Sequence, residues 1–364
     1  MRSVVEDFFK TYGIKDKVIA AGVSGGADSL ALVWQLKQWA DLNRRKVVAL
    51  TVDHGLRPES REEALYVSQL MADWGIEHHL LVWEGEKPDS DIEARAREAR
   101  YGLMADWCRQ NGIKVLAVGH HLQDQAETFF MRLCRGSGVY GLSAMQPVTD
   151  CWGITVVRPQ LDRKPEELRS LLRQMGVVWK EDVSNQSENF LRSRIRRYLP
   201  ELESKTGLTR ERLAETAAVL ARSRSLIESL VRQKIAENVT EWCGSVRSLS
   251  QAELKSWHSE LLFRVLAELI RTVGGRKYVP ESEELLRLSN LIVQPDFKGC
   301  TLGDCEIFSC RGKIWIIPEK KNKPVLRREV WTEWSRSFPK LQNVDLPYKV
   351  RQAIYLLNQQ KACI

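Results

Sequence analysis

The densest chemistry in this chain lies at Ser24-Gly25-Gly26-Ala27-Asp28-Ser29, directly after the apolar stretch Val18-Ile19-Ala20-Ala21-Gly22-Val23. A buried-strand pattern runs into a hydroxyl, two glycines, a carboxylate and a second hydroxyl, and the residues that follow carry a helical pattern. Glycines in such a turn present bare backbone N–H groups, and the new helix adds unpaired N–H groups at the positive end of its dipole. That arrangement suits a multiply charged anion such as pyrophosphate. The lysine of a Gly-x-x-x-x-Gly-Lys-Ser/Thr loop is missing, which argues against transfer of a γ-phosphoryl group. Backbone N–H groups with Ser24 and Ser29 would instead hold a pyrophosphate leaving group while a nucleophile attacks the α-phosphorus of ATP. Asp28 would repel bare phosphates, and its place makes sense if it helps to hold a Mg²⁺ that bridges them. Its plainer role is to complement the helix dipole.

Two more polar clusters carry reactive side-chain types. One is Asp53-His54-Gly55-Leu56-Arg57, and the other is Gly119-His120-His121-Leu122-Gln123-Asp124-Gln125-Ala126-Glu127-Thr128. Asp124 and Glu127 are spaced i, i+3 and so share a helix face. Two carboxylates on one face can grip an ammonium group. Histidine is the side chain that titrates near neutral pH, and any of His54, His120 and His121 could serve as a proton acceptor. A basic stripe, Arg192-Ser193-Arg194-Ile195-Arg196-Arg197, continues into Lys205, Arg210, Arg212, Arg222 and Arg224. With a net charge of +8 it points to a polyanionic partner. A solvated helix face produces the same pattern.

The elements that must position these clusters alternate. Strand patterns occupy 17–23, 46–52, 77–83, 114–119 and 154–158, with helical spacing over 29–43, 60–74, 91–111 and 124–133. Such alternation predicts an α/β fold, a doubly wound parallel sheet with helices on both faces. All three clusters then fall at the carboxyl ends of strands, where open parallel sheets bind ligands. From about residue 205 the pattern changes to long helices over 209–239, 251–273 and 282–292, then a β-rich patch over 300–318. We expect a catalytic domain over 1–205, a helical linker with a smaller α+β domain over 206–320, and a basic linker and tail with weak structure over 321–364. No apolar run approaches the roughly 18 residues that span a bilayer. The acidic, core-less start of the chain gives no export signal, so a cytoplasmic protein without a membrane partner is expected. Eight cysteines in such a chain do not suggest a disulfide framework. Cys300, Cys305 and Cys310 are spaced by five, which puts neighbours on opposite faces of a strand and argues against a tetrahedral metal site.

Ser-Gly-Gly-Ala-Asp-Ser matches the Ser-Gly-Gly-x-Asp-Ser signature of the PP-loop ATP pyrophosphatases. Within them the chain resembles the tRNA(Ile)-lysidine synthase family. The resembling blocks run in order through 52–57, 92–101, 119–128, Arg135-Gly136-Ser137-Gly138, Gly141-Leu142, Met145, Asp182, Ser184, Asn185 and 192–200, with weaker likeness at 301–303 and 316–319. The resemblance implies an adenine nucleotide α-hydrolase-like fold. It also implies ATP-dependent ligation of free L-lysine to C2 of the wobble cytidine of tRNA(Ile) with anticodon CAU. Ser24, Gly25, Gly26, Ala27, Asp28 and Ser29 would bind ATP, with Asp28 on the metal. Asp124, Glu127 and Arg97 would bind lysine, the arginine taking its carboxylate as a fork. Arg192, Arg194 and Arg196 would contact tRNA. Asp28, His54, Asp124 and Glu127 form the expected catalytic set, and a homodimer is the oligomeric state allowed for. Two positions depart from the family pattern: Gln123 stands where an aspartate is usual, and Ser193 where an asparagine is usual. Gln123 puts in doubt any metal or phosphate role for a carboxylate at that position.

Overall fold

Short runs of Val, Ile, Leu and Ala, apolar on both faces, form the centre of a parallel sheet in the first half of the chain. The structure is a computed structural model that describes residues 4–55, 59–85, 92–180, 191–243, 245–276, 279–319, 325–341 and 344–361. The chain divides into two compact units, 1–224 and 225–364. The expected boundary near 205 falls at the end of the helix Leu191–Thr206.

The first unit runs α1 (Val4–Tyr12), β1 (Val18–Gly22), α2 (Ala27–Asn43), β2 (Lys46–Asp53), α3 (Glu59–Asp73), β3 (Glu77–Val82), α4 (Ile92–Gln110), β4 (Val115–Ala117) and α5 (Leu122–Leu133). It continues through α6 (Val139–Leu142), β5 (Val148–Cys151), β6 (Ile154–Val157), α7 (Pro165–Gln174), α8 (Leu191–Thr206) and the start of α9 (Arg210–Asn238). Strand order is β3-β2-β1-β4-β6-β5. β1 pairs in parallel with β2, Val18 opposite Lys46, and with β4, Ala20 opposite Leu116. The winding therefore reverses between β1 and β4, and the crevice beyond their carboxyl ends is the topological switch point.

Alternate residues of the strands feed two cores. Ile19 and Ala21 face α1, α2, α3 and α7 through Val5, Leu32, Val67 and Leu168. Ala20, Val48 and Leu116 face α4 through Tyr101, Met104, Ala105 and Cys108. The doubly wound α/β architecture is as expected, with one addition. β5 is antiparallel to β6 and closes the sheet edge as a hairpin, Cys151 opposite Ile154. Its two-residue turn places both Trp152 (φ 53°) and Gly153 (φ 75°) in the left-handed region, as a type I′ turn requires.

The second unit continues with β7 (Val239–Trp242), β8 (Val246–Ser250), α10 (Gln251–Leu254), α11 (Ser259–Gly274), α12 (Ser282–Leu291), β9 (Gly299–Leu302), β10 (Cys305–Cys310) and β11 (Lys313–Pro318). Its antiparallel sheet has the order β7-β8-β11-β10-β9. Ile314 and Ile316 face α11 and α12, while Trp315 and Ile317 face the opposite layer. That layer is built by α13 (Arg328–Ser335) and α14 (Tyr348–Lys361). The tail is therefore more ordered than the sequence reading expects. Trp331, Val350, Ala353 and Ile354 bury against the sheet, and this tertiary packing compensates for weak local patterning. Cys305 and Cys310 pack on opposite faces of this sheet, and burial pushes the Cys305 thiol up to about 12.

Candidate active site

The loop after β1 is shaped by its own backbone. Val23 N–H donates to the Leu50 carbonyl at 2.8 Å, and Thr51 Oγ1 donates to the Val23 carbonyl at 2.8 Å, which fixes the strand end. Gly25 then turns at φ +83°, and a Cβ there would lie 3.1 Å from Val67 Cγ2. Gly26 begins α2 without a side-chain cap, so the first-turn N–H groups keep their capacity for an anion. Ser29 is buried and its hydroxyl holds the loop closed, donating to the Gly26 carbonyl at 3.0 Å and accepting from Ser24 N–H at 3.1 Å. Ser24 is exposed and lies 3.2 Å from it, oxygen to oxygen. The Gly25 carbonyl accepts from Lys180 N–H at 3.0 Å.

Asp28 stands in the first turn of α2, facing the loop after β4. Its Oδ2 lies 3.3 Å from His121 Nε2, while Oδ1 is buried without a hydrogen-bond partner among the described residues. A buried carboxylate oxygen is costly to leave unpaired. A divalent cation is a fitting partner, because Mg²⁺ is commonly held by one or two carboxylates together with substrate phosphates. The approach of the two loops depends on Gly119, where a Cβ would lie 3.0 Å from the Asp28 carbonyl and the Ser29 nitrogen.

His121 precedes α5, and its N–H donates to Asp124 Oδ2 at 3.0 Å. Its ring bridges two acids, with Nδ1 3.6 Å from Asp124 and Nε2 near Asp28. Burial opposes a charge on this ring, but the Asp28 hydrogen bond and the charges of Asp124, Asp28 and Glu127 outweigh it and raise the His121 pKa. His120 is the opposite case. Burial, then the charges of Arg97, Arg158, Arg100 and Arg192, hold it well below the usual histidine range. Its Nε2 lies 3.3 Å from Arg97 Nη2, and a guanidinium only donates, so Nε2 carries the lone pair. Arg97 and Arg100 both lie over the Tyr101 ring, which stacks on Trp152 at 5.1 Å. His54 follows β2 with its ring edge-on to Trp83 at 6.1 Å.

The Asp124/Glu127 pair does share one face of α5, and that face is filled. Glu127 is fully buried and accepts four hydrogen bonds. Gln123 Nε2 donates to Oε1 at 3.0 Å, Arg196 Nε to Oε1 at 2.6 Å, Arg192 Nε to Oε2 at 2.7 Å, and Arg196 Nη2 to Oε2 at 3.1 Å. Arg192 Nη2 also reaches Asp124 Oδ1 at 2.5 Å. Burial raises the Glu127 pKa, but the two guanidiniums more than reverse this and hold it below the usual range. The basic stripe is thus split by helical geometry. Arg192 and Arg196, spaced i, i+4, turn onto α5, while Arg194 is exposed. Gln123, at the departure from the family pattern, is a neutral donor to Glu127.

Sequence reasoning missed two contributors. Arg158, just after β6, is buried and donates to the Gln146 carbonyl at 2.8 Å and to Thr149 Oγ1 at 3.1 Å. It ends an expected strand, and that position was its signal. Lys180 acts through its backbone and carries no such signal. Leu56, Arg57, Asp182, Ser184 and Asn185 lie outside the described residues.

Comparison with known proteins agrees with this architecture. Residues 2–202 match the family model of the PP-loop domain. The chain is 36% identical over 309 residues to the tRNA(Ile)-lysidine synthase of Wolbachia pipientis wMel, covering 83% of this chain and 70% of that protein. It is 37% identical over 319 residues to that of Hyphomonas neptunium, covering 84% and 82%. Among solved structures, the U34-tRNA thiolase NcsA from Methanococcus maripaludis with its 4Fe–4S cluster is similar in fold. The TM-score is 0.52 at 17% identity, covering 60% of this chain and 78% of that one. On the matched domain and on relatives aligned over most of both chains, this protein is an enzyme of the tRNA(Ile)-lysidine synthase family of PP-loop proteins.

Proposed function

We propose that the chain ligates free L-lysine to the wobble cytidine of tRNA(Ile) with anticodon CAU. In the first half-reaction the cytosine C2 oxygen attacks the α-phosphorus of ATP and pyrophosphate leaves. In the second, the ε-amine of lysine attacks C2, the C2–oxygen bond breaks with release of AMP, and lysidine remains. The supporting observation is the junction at the switch point, where Asp28 of the loop, its Oδ1 without a partner among the described residues, and Asp124 of α5 meet through one histidine.

Backbone N–H groups of the loop and the first turn of α2, with Ser24, would hold the leaving pyrophosphate, while Ser29 keeps the loop in shape. Asp28 would hold Mg²⁺, which when bound offsets charge on the phosphates. Lysine would set an ammonium against Asp124 and Glu127 and its carboxylate against Arg97. The attacking amine must first lose a proton. His120 is held neutral, but its Nε2 lone pair is engaged by Arg97, and the acids around His121 favour that ring's charged form. His54 sits after β2 at the same sheet edge and is the remaining candidate.

The test is incorporation of radiolabelled lysine into tRNA, with pyrophosphate release followed in parallel. Label in tRNA(Ile) bearing CAU, dependent on ATP, is the expected result. Consumption of ATP in the presence of tRNA with no label entering would overturn the assignment.

A further inference from the structure

The carboxylates read above as the lysine site already hold two cations of this chain. Arg192 and Arg196 set two positive charges against the two negative charges of Asp124 and Glu127, and Glu127 has no exposed surface. An incoming ammonium therefore meets a neutral, filled cluster. At Glu127, whose four acceptor positions are taken, room for it comes by exchange with a guanidinium.

The guanidiniums are placed so that such exchange needs little else to move. Their side chains are 22% and 33% exposed, so each reaches solvent. The helix beneath them is anchored separately. Ile195 and Leu199 of α8 pack with Ala126 and Phe129 of α5 in one buried cluster. Rotation of two long side chains would uncover Glu127 while the helices stay docked. Leaving two buried carboxylates is unfavourable unless the arginines gain another anion. Phosphates suit them, because a guanidinium fork binds phosphate as it binds carboxylate. Exposed Arg194 on the same helix adds to the attraction for a polyanion.

We propose that Arg192 and Arg196 are positioning residues that plug the lysine site in the RNA-free enzyme and free it when RNA phosphates take their guanidiniums. RNA binding then tightens lysine binding, and by linkage lysine tightens RNA binding by the same factor. The proposal rests on the reading of Asp124 and Glu127 as lysine-binding acids.

The test is calorimetric titration of L-lysine into the full-length protein, alone and with saturating substrate tRNA, in the absence of ATP. The lysine dissociation constant is expected to fall about tenfold or more with tRNA, and less at high salt. Arg192→Gln and Arg196→Gln are expected to tighten lysine binding without tRNA and to shrink the effect of tRNA toward none. A purely structural role would weaken lysine binding and lower the melting temperature together. Should the Gln variants fail to fold, Arg196→Lys keeps the charge with fewer contacts, and lysine binding without tRNA is again expected to tighten. If no heat is measurable, the lysine KM at limiting and at saturating tRNA reads the same coupling. Affinity or KM that is independent of tRNA, yet lost in Asp124→Asn, overturns the plug and leaves the lysine site standing. Unchanged lysine affinity in both Asp124→Asn and Glu127→Gln, with label still entering tRNA, removes the lysine site and the plug with it.

Discussion

The loop after β1 and the acid–arginine cluster between α5 and α8 share one edge of the sheet but satisfy their polar groups in opposite ways. The loop is made of backbone and short hydroxyls, and it keeps N–H groups without a side-chain cap and one carboxylate oxygen with no partner among the described residues. The cluster is made of long side chains, and every Glu127 acceptor position is used. Unfilled polar capacity marks a place where an outside ligand completes the structure. Filled capacity marks a place where a ligand must displace something. His121 joins the two, within 3.3 Å of Asp28 and 3.6 Å of Asp124.

The sharpest way to break this contrast is Asp28→Ala. If the loop is completed by a metal–nucleotide complex, pyrophosphate release should fall roughly 100-fold or more, equivalent to about 2.7 kcal/mol of barrier. Affinity for tRNA should stay within a few-fold, as a filter-binding assay would read. Normal pyrophosphate release would remove Asp28 from the metal role.

The filled cluster should answer with stability. Glu127→Ala removes the carboxylate that Arg196 and Arg192 share. The loss should be about 3 kcal/mol at pH 7, the lower end for a broken buried pair because both guanidiniums reach solvent. The pH dependence has a definite sign. The folded-state pKa of Glu127 lies below its ordinary 4.5, so its contribution is complete above about 4.5 and is lost as pH falls through the depressed value. Urea unfolding of wild type and Glu127→Gln should therefore differ most at neutral pH and converge in acid. A gap that persists at the lowest pH would mean that packing, not charge, holds the cluster.

The meeting of the two regions is tested at Gly119. A methyl group 3.0 Å from the backbone of Asp28 and Ser29 must push β4 and α2 apart, and Gly119→Ala should cost about 1–2 kcal/mol. A raised KM for ATP should accompany it. Gly102, in α4 with open space around its added Cβ, is the control. There alanine should stabilise by about 0.5 kcal/mol.

The loop was legible in the sequence because its strand, glycines, hydroxyls and helix start lie within a dozen residues, whereas its distant supports at Leu50, Thr51 and Lys180 carried no local signal. The parallel strands were legible for the same reason, each being a short apolar run bounded by polar turns. β5 was not, since four residues with one exposed and three half-buried carry no period of their own. The filling of the cluster was also hidden, because Glu127 and Arg192 stand 65 residues apart and no local pattern links them. The i, i+3 acids suggested a shared face, and the arginines read only as a basic stripe or a solvated helix face. That the two faces meet is a property of how α8 packs on α5 through Ile195 and Leu199.

That packing also predicts which part of the basic stripe meets RNA before anything moves. Two-residue steps along α8, each a little over half a turn, put Arg192 and Arg196 on the inner face and Arg194 on the outer one. A guanidinium already paired with carboxylate releases few counterions when it meets phosphate, whereas an exposed one releases its share. Arg194→Ala should therefore lower the slope of log affinity against log salt by about 1. Stability in urea should change by less than about 0.5 kcal/mol, as for an exposed position without special contacts. Arg196→Gln should do the reverse, with a clear loss of stability and a smaller change in initial salt slope. Equal slopes for wild type and Arg194→Ala would mean that the outer face is only solvated. Contact with RNA would then fall to the inner arginines alone, which the cluster must first release.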